Sequence, residues 1–206
     1  MDRRQYSASA MRNREPILDV FKKYLPESGT VLEIASGSGE HAVYFAPQFP
    51  NLNWQATNFD DTQLDSVIDW IAHLPSGNLL PPLKLDATST VWPIESTSFP
   101  ATPITAIFNV NMIHISPWRV CEGLMAGAGR TLEKGGRLFI YGPFKVEGQH
   151  TAPTNEDFDA WLKANDTEFG IRDQRTVIAE AEKNGLVHVK AISMPANNFL
   201  QIFDRI

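Results

Sequence analysis

Two glycines, Gly37 and Gly39, lie between a short apolar run and a helical pattern, where a ligand-binding turn could form. Glycine has no Cβ atom, so such a turn can tighten and bring its backbone N–H groups close to a ligand. Residues 37–42 satisfy the dinucleotide-binding pattern G-x-G-x-x-G/A, and Asp60 and Asp61 follow roughly 20 residues later. The same turn geometry also serves S-adenosylmethionine, so the glycines alone leave both ligands open.

Glu33 and the pair of Tyr141 and Lys145 bear on the choice between these two ligands. Glu33 lies inside the apolar run just before the turn, where a strand that binds NAD is usually uniformly apolar. Its carboxylate could bind loop amides or the ammonium group of a methionine moiety. Tyr141 and Lys145 have the spacing of the short-chain dehydrogenase pair, but Gly142 and Pro143 between them make the required helix improbable. We therefore reject the dehydrogenase pair.

Apolar periodicity predicts the elements that must position these residues. The predicted strands cover residues 30–34, 53–57, 82–86, 104–109, 137–141, 186–192 and 198–203. The first predicted helix has Pro16 in an early position, the second follows Gly39, and the third is capped by Asp61 or Thr62. A fourth, long helix begins at Ser116-Pro117 and is stopped by Gly135-Gly136, and a fifth covers residues 174–183. Residues 142–172 read as an irregular insertion with one short helix at 155–162. Such alternation predicts a mostly parallel sheet with helices on both faces and ligands beyond the carboxyl ends of the strands.

Composition limits the class of protein and its partners. The chain has 206 residues, of which 43% are apolar, and its net charge is −6. We expect a single domain over residues 1–206, with no membrane segment and no nucleic-acid partner, since nucleic-acid binders normally present a basic face. The lone cysteine, Cys121, excludes an internal disulfide and fits a reducing, cytoplasmic location. The expected partner is a small-molecule substrate, and no oligomeric state is predicted.

Several unusual strings occur in a fixed order along the chain. They are Arg12-Asn-Arg-Glu-Pro-Ile17, Leu32-Glu-Ile-Ala-Ser-Gly-Ser-Gly-Glu-His41, Asn111-Met-Ile-His-Ile-Ser-Pro-Trp118, Tyr141-Gly-Pro-Phe144, Gly170-Ile-Arg-Asp173 and Met194-Pro-Ala-Asn-Asn198. On these strings the chain resembles class I S-adenosylmethionine-dependent methyltransferases over nearly its whole length, and more narrowly it is similar to the methyltransferase-like 26 family. The resemblance implies an α/β, Rossmann-like class I methyltransferase fold, with a seven-stranded, mostly parallel sheet whose last strand is antiparallel.

The resemblance also implies which residues would hold S-adenosylmethionine. Asp86 would accept from the exocyclic amine of the adenine, with Ala87 beside it. Asn109 would offer its side chain or carbonyl to the amino-acid end of the cofactor. Arg12 and Asn13 are candidates for the cofactor carboxylate, although a solvated N-terminal charge is the alternative. The residues implied around the methionine and ribose are Glu33, Ala35, Gly37 and Gly39.

One position departs from the methyltransferase pattern. The acidic residue expected at the end of the second strand falls on Asn58. An amide can still bond ribose hydroxyls, but it lacks the stronger, charge-assisted hydrogen bonds of a carboxylate. Asp60 could substitute, so both Asn58 and Asp60 are candidate ribose contacts.

His114 and Tyr141 follow the fourth and fifth predicted strands and are the candidate catalytic residues. Methyl transfer is an in-line displacement, for which the protein mainly aligns the acceptor and excludes water. A general base is needed only where the acceptor keeps its proton near neutral pH. His114 could instead be a structural histidine and Tyr141 a packing aromatic.

The insertion at 142–172 is expected to set substrate choice, because loops at this edge carry function on a rigid sheet. Asn155 could instead cap a helix, and Arg172 could form a surface ion pair with Asp173. The candidate substrate residues are Asn111, Phe144, Asn155, Arg172 and Asn198.

The sequence therefore favours a methyltransferase acting on a small molecule. The motif for amino-group methylation is absent, since residues 109–112 read Asn-Val-Asn-Met, and Cys121 lies in a predicted helix rather than in a nucleophile setting. No metal site is expected, because no ligand cluster has suitable spacing. The alternatives are a non-catalytic sensor or scaffold that binds S-adenosylmethionine and, behind it, an NAD-dependent oxidoreductase.

Overall fold

A computed structural model of the chain describes residues 2–96, 99 and 102–206. The helices of this part are α1 (Ala8–Tyr24), α2 (Glu40–Phe45), α3 (Asp61–His73), α4 (Trp118–Thr131), α5 (Pro153–Asn165) and α6 (Gln174–Lys183). The strands are β1 (Gly29–Ile34), β2 (Leu52–Asn58), β3 (Leu83–Lys84), β4 (Ile104–Val110), β5 (Leu132–Gly142), β6 (Lys145–Val146), β7 (Gln149–His150), β8 (Leu186–Met194) and β9 (Asn198–Arg205). Short 3-10 turns cover Ala46–Gln48, Pro93–Glu95 and Met112–His114.

Seven strands form one sheet in the order β3-β2-β1-β4-β5-β9-β8. Strands β1 to β5 are parallel to their neighbours in this group, whereas β9 is antiparallel to both β5 and β8. The expected seven-stranded, mostly parallel sheet with an antiparallel last strand is confirmed. The strands β6 and β7 form a separate hairpin in the insertion.

Helices cover both faces of this sheet, and each face has its own apolar core. Because side chains alternate along a strand, Val31 of β1 faces α1 and α2 while Leu32 faces α4 and α6. Phe21 of α1 lies at the centre of the first core, where its ring centroid is 4.8 Å from that of Phe108 and 5.1 Å from that of Phe45. The carboxyl ends of the central strands are therefore fixed between two packed layers.

The predicted start of α1 and the predicted end of α4 were both wrong. Helix α1 begins at Ala8 with Ser7 as its N-cap, so Pro16 lies inside the helix rather than near its start. Helix α4 ends at Thr131, and β5 begins before the glycine pair that was predicted to stop the helix. A Cβ atom on Gly136 would lie 3.1 Å from the carbonyl oxygen of Thr105, where the pairing of β4 with β5 shifts register. The pair thus serves a strand irregularity, for which glycine is common.

The third strand and the insertion also differ from expectation. Strand β3 has only two residues, whereas residues 82–86 were predicted. The insertion contains the β6-β7 hairpin, which was not predicted, and its helix α5 is longer than the predicted 155–162. Hydrophobic periodicity misses a two-residue strand, since alternation needs about four residues to be visible.

Candidate functional site

The glycine turn joins β1 to α2 and has an unusual backbone. Ala35, Gly37 and Gly39 have φ angles of 55°, 57° and 94°, in the left-handed region that favours glycine. A Cβ atom on Gly37 would meet nothing within 4 Å, whereas one on Gly39 would lie 2.9 Å from the Cα of Val67 in α3. Gly37 therefore borders open space, and Gly39 is required by the packing of the turn against α3.

Asn58 ends β2 and holds this turn through both atoms of its amide. Its Nδ2 donates to the carbonyl oxygen of Gly37 at 3.0 Å, and the N–H of Gly37 donates to its Oδ1 at 2.9 Å. The side chain is fully buried. Asn58 thus positions the turn, and its amide is not free to bond a ribose in this arrangement.

Asp60 lies two residues further on and is exposed. Its Oδ1 accepts from the N–H groups of Thr62 at 2.9 Å and Gln63 at 3.1 Å, so Asp60 is the N-cap of α3, where Asp61 or Thr62 was predicted. The hydrogen bond from the Thr62 hydroxyl, followed by the Gln63 amide, lowers the pKa of this carboxyl. Within the described chain its Oδ2 makes no hydrogen bond, so Asp60 presents one free carboxylate oxygen.

Asp86 has a similar arrangement after β3. Its Oδ1 accepts from the N–H of Thr88 at 2.8 Å and from the Thr88 hydroxyl at 2.7 Å. Its Oδ2 is free of hydrogen bonds to the residues described, and Ala87 beside it is buried. Two carboxylates with one committed and one free oxygen therefore follow neighbouring strands.

A cavity of about 390 Å³ connects these features at the carboxyl ends of the strands. This volume lies within the ordinary range of small-molecule sites, about 300–1,000 Å³. Its walls include Ala35, Asp60, Asp86 and Ala87 on the strand side, with Ile115 and Phe169 on the opposite side. Ala35, Asp60, Asp86 and Ala87 thus share one concave, largely apolar site, whereas Gly37, Gly39 and Asn58 do not line it.

Glu33 has a partner that the sequence did not suggest. It is 2% exposed, and its Oε2 accepts from the indole Nε1 of Trp54 in β2 at 2.6 Å. Burial raises the pKa of this carboxyl to about 7, although the hydrogen bond from Trp54 acts in the opposite direction. Glu33 therefore joins β1 to β2 beneath the turn.

Asn109, the second-last residue of β4, has one side-chain atom without a hydrogen-bond partner. Its Nδ2 donates to the carbonyl oxygen of Ile34 at 2.9 Å, and the residue is fully buried. Its Oδ1 is also buried and finds no hydrogen-bond donor among residues 2–96, 99 and 102–206. A buried acceptor without a partner is costly, about 1–3 kcal/mol, and is a feature that ligand sites often retain.

The two candidate catalytic residues lie on opposite faces of β5. Tyr141 faces the core formed with α1, whereas His114 lies against Gly142, the next residue of the strand. His114 is fully buried, and burial lowers its pKa to about 3. Its Nδ1 accepts from the N–H of Arg172 at 3.3 Å, so the proton of the neutral ring lies on Nε2. Burial also raises the pKa of Tyr141, so neither group is held as a ready base near neutral pH.

The candidate substrate residues are not brought together in one exposed pocket. Phe144 is fully buried, with its ring centroid 5.1 Å from that of His114. Asn111 is partly exposed in the left-handed region at φ 60°. The Nδ2 of Asn155 donates to the carbonyl oxygen of Asn197 at 3.0 Å, and Ala152 rather than Asn155 is the N-cap of α5. Asn198 donates to the carbonyl oxygen of Pro195 at 3.1 Å.

Arg172 does not form the predicted surface ion pair with Asp173. Its Nε donates to the carbonyl oxygen of Ile113 at 2.9 Å, and its Nη2 donates to the carbonyl oxygens of Ser116 at 2.7 Å and Glu168 at 2.8 Å. Asp173 instead caps α6 through the N–H of Arg175 at 2.9 Å. Arg172 is therefore bound to backbone on two different segments.

Sequence reasoning missed one buried group near α1. The Nε2 of His41 lies 2.7 Å from the Oδ1 of Asn13, and burial lowers the pKa of His41 to about 4. The neutral ring must therefore donate from Nε2, since the Asn13 oxygen can only accept. Arg12 is exposed beside this pair, and only the position of His41 directly after the glycine turn could have indicated its role.

The described residues contain neither a metal-binding cluster nor a membrane-spanning helix. In that part of the chain, no cluster of three or more His, Cys, Asp or Glu side chains could hold a metal ion. No helix there is both long enough and apolar enough to cross a bilayer.

A family model described as "Protein of unknown function (DUF938)" matches residues 4–205. The chain belongs to this family. The family description assigns no activity, and the narrower likeness to the methyltransferase-like 26 family stays a prediction.

Solved structures of methyltransferases share the fold of this DUF938 member. An O-methyltransferase family protein from Burkholderia thailandensis is 18% identical, with a TM-score of 0.75, and the match covers 96% of this chain and 57% of that one. An O-methyltransferase family 2 protein from Planctomyces limnophilus, in complex with apigenin, is 20% identical with a TM-score of 0.74, covering 96% and 58%. A methyltransferase of calicheamicin biosynthesis with SAH bound is 14% identical with a TM-score of 0.72, covering 96% and 54%. The chain thus has the Rossmann-like class I methyltransferase fold and spans a little over half the length of these matches.

Proposed function

We propose that this protein is an S-adenosylmethionine-dependent methyltransferase that acts on a small molecule. The observation that carries the proposal is the cavity bordered by Ala35 at the start of the glycine turn, Asp60 and Asp86, at the carboxyl ends of β1, β2 and β3. In sheets of this type, ligands bind beyond the carboxyl ends of the strands. The shared fold with methyltransferases supports this assignment.

The residues around the cavity fit the cofactor part by part. Asp86 would accept from the exocyclic amine of the adenine through its free Oδ2, with Ala87 forming the floor beside it. Asp60 would accept from the ribose hydroxyls through its free Oδ2, a role that we assign to Asp60 rather than to Asn58 because the Asn58 amide is bound to Gly37. A charged acceptor strengthens such hydrogen bonds.

The methionine end of the cofactor would lie beyond Gly37 towards β4. We assign the unsatisfied, buried Oδ1 of Asn109 as the acceptor for that end and the exposed Arg12 as the positive charge for the carboxylate, although neither residue lines the cavity. Glu33 would not contact the cofactor directly, since its carboxylate is bound to Trp54, and would instead support the turn by joining β1 to β2.

When bound, S-adenosylmethionine supplies a methyl group on a positively charged sulfur. The chain's own contribution is to hold donor and acceptor in line and to exclude water from the apolar cavity. His114 and Tyr141 are both buried and neither lines the cavity, so neither is placed to take a proton from a bound acceptor. We therefore infer an acceptor atom that is already nucleophilic at neutral pH.

A small-molecule acceptor is favoured by two observations. The net charge is −6, which opposes binding to a nucleic-acid backbone. One matched O-methyltransferase family protein was solved in complex with apigenin.

A second candidate function is a sensor or scaffold that binds the cofactor without turnover. The burial of His114 and Tyr141 on opposite faces of β5 favours it. Incubation with S-adenosylmethionine labelled on the methyl group and a fractionated pool of cellular metabolites separates the two functions. A labelled product that disappears in the Asp86→Asn variant supports the enzyme. Binding of the cofactor without any labelled product supports the sensor, and stabilisation by NAD but not by S-adenosylhomocysteine would support the oxidoreductase instead.

A further inference from the structure

Arg172 lies between two segments that both face the cavity. One is the turn at 112–117, which contributes Ile115 and Ser116 to the cavity wall. The other is the end of the insertion at 168–172, which contributes Phe169. The guanidinium donates to backbone carbonyls on both, namely those of Ile113 and Ser116 on the first and that of Glu168 on the second.

Backbone hydrogen bonds on either side of Arg172 reinforce this connection. The N–H of Arg172 donates to the Nδ1 of His114 at 3.3 Å, and the N–H of Gly170 donates to the carbonyl oxygen of His114 at 2.9 Å. His114 therefore accepts hydrogen bonds from the 168–172 segment through both its ring and its carbonyl oxygen.

The insertion holds the same segment from behind through Asp159 of α5. This buried carboxylate accepts from the N–H of Ile171 at 2.7 Å through Oδ1. Its Oδ2 pairs with Lys145 at 2.9 Å and Lys163 at 2.8 Å. A Cβ atom on Gly170 would lie 2.8 Å from Oδ1, so the backbone must pass close to the carboxylate.

The guanidinium of Arg172 contacts backbone carbonyls and an aromatic ring, with its Cζ 5.8 Å from the centroid of the Trp118 ring. Its side chain is half buried, burial lowers its pKa, and no carboxylate of the described chain forms an ion pair with it. A planar guanidinium with several fixed donors can satisfy three carbonyl oxygens at once, which the single ammonium of lysine does less well. The side chain is thus built to join backbone segments rather than to balance charge.

We propose that Arg172 is the positioning residue of the ligand cavity. By joining the 168–172 segment to the 112–117 turn, it holds Phe169 and Ile115 as the outer wall, against which a bound adenosine moiety packs. The role of the ligand in this inference rests on the proposed function, whereas the role of Arg172 in ordering the wall does not.

Amide hydrogen exchange tests the ordering role without any ligand. In the Arg172→Gln variant, the amides of Gly170 and Ile115 should exchange about tenfold faster, while amides of β4 and β5 remain protected. Arg175→Gln is the matched control, because Arg175 is an exposed arginine three residues away that pairs with Glu147. Arg172→Lys should give an intermediate effect, and it replaces the glutamine variant if that protein does not fold. Unchanged exchange at Gly170 and Ile115 would overturn the proposal.

Ligand binding tests the wall itself. S-adenosylhomocysteine and methylthioadenosine share the adenosine moiety, so Arg172→Gln should weaken both by about tenfold, whereas Arg175→Gln should weaken neither. Phe169→Ala should have a similar effect, and the double variant should be far less than additive, because both changes remove the same wall. Fully additive losses, or normal binding despite faster exchange, would contradict the proposed wall. If the unaltered protein binds neither probe, the proposed function fails while the exchange experiment still decides the role of Arg172.

Discussion

Asn58 and Gly37 are joined by two hydrogen bonds that use both the donor and the acceptor of the side-chain amide. The Nδ2 atom donates to the carbonyl oxygen of Gly37 at 3.0 Å, and the Gly37 N–H donates to Oδ1 at 2.9 Å. This amide holds the glycine turn against the end of β2. Because the amide is bonded to Gly37, Asp60 remains as the candidate ribose contact. An amide is required here, because a carboxylate could not donate to the carbonyl.

Asn58→Asp is expected to destabilise the ligand-free protein at neutral pH. The ionised carboxylate would face the Gly37 carbonyl without a proton to donate, which we expect to lower the free energy of unfolding by about 1–3 kcal/mol. Urea denaturation measures this loss. A protonated carboxyl can donate again, so the folded state raises the pKa of the new residue and the deficit should shrink as the pH falls. Asn51→Asp, which adds the same charge at an exposed position, is the control, and equal losses in both variants would contradict the role of Asn58.

Asp60→Asn should weaken S-adenosylhomocysteine while leaving the fold intact. Asparagine is as good an N-cap as aspartate, so α3 keeps its cap, but the ribose loses a charged acceptor. We expect a three- to tenfold increase in the dissociation constant by calorimetry, about the loss of one charge-assisted hydrogen bond. Asp61→Asn is the control, since Asp61 is exposed and pairs with Lys84 outside the cavity. Equal affinities for the two variants would remove Asp60 from the site.

The two glycines of the turn should respond differently to alanine. Gly39→Ala places a Cβ atom 2.9 Å from the Val67 backbone at a φ of 94°, so we expect a loss of about 2–4 kcal/mol from steric overlap and strain together. Gly37→Ala meets no atom within 4 Å and pays only for its positive φ, about 1–2 kcal/mol. Relative to the stability that each variant loses, Gly37→Ala should weaken the binding of S-adenosylhomocysteine more than Gly39→Ala does. The reason is that the Gly37 methyl group would point into the open space beside the turn. Similar unfolding curves for the two variants would contradict the assignment.

The raised pKa of the buried Glu33 carboxyl should make the stability of the protein fall with rising pH. Its carboxyl has a pKa of about 7 in the folded protein against 4.5 when unperturbed, so the folded state binds more protons between these values. Stability from this group is therefore present below about pH 4.5 and is lost as the pH rises to about 7, a change of about 3 kcal/mol.

Comparison with Glu33→Gln isolates this effect. Glutamine keeps an acceptor for Trp54 but does not titrate, whereas His41 and His114, whose pKa values are lowered, change stability in the opposite direction in both proteins. The difference in unfolding free energy, natural protein minus variant, should fall between pH 5 and pH 8. A difference that rises over this interval would mean that the ionised carboxylate is the form that the fold stabilises.

The order of elements and the position of the cavity could be predicted from the sequence. The run from Thr30 to Ile34, the glycines and the following helix are local patterns, and helix α6 has the predicted bounds. The mostly parallel, seven-stranded sheet follows from such alternation together with the resemblance, and the carboxyl ends of β1 and β3 then fix where Gly37 and Asp86 must lie.

Side-chain partners across strands could not be predicted in this way. The bonds of Asn58 to Gly37 and of Glu33 to Trp54 join residues 21 positions apart, and they depend on the register of β1 against β2. The separation of His114 from Tyr141 depends on which face of β5 each contacts. Arg172 was misread for the same reason, because its carbonyl partners at Ile113 and Ser116 carry no side-chain signal.

Titration of S-adenosylhomocysteine into the natural protein and into the Asp86→Asn variant measures whether adenosine binds at the carboxyl ends of β1, β2 and β3. We expect one site per chain in the natural protein, and a dissociation constant at least about tenfold larger in the variant, because the adenine loses a charged acceptor. Asp86→Asn should keep its acceptor for Thr88 and therefore its fold. The absence of binding to the natural protein, or equal affinity in both proteins, would contradict an adenosine site at the carboxyl ends of β1, β2 and β3.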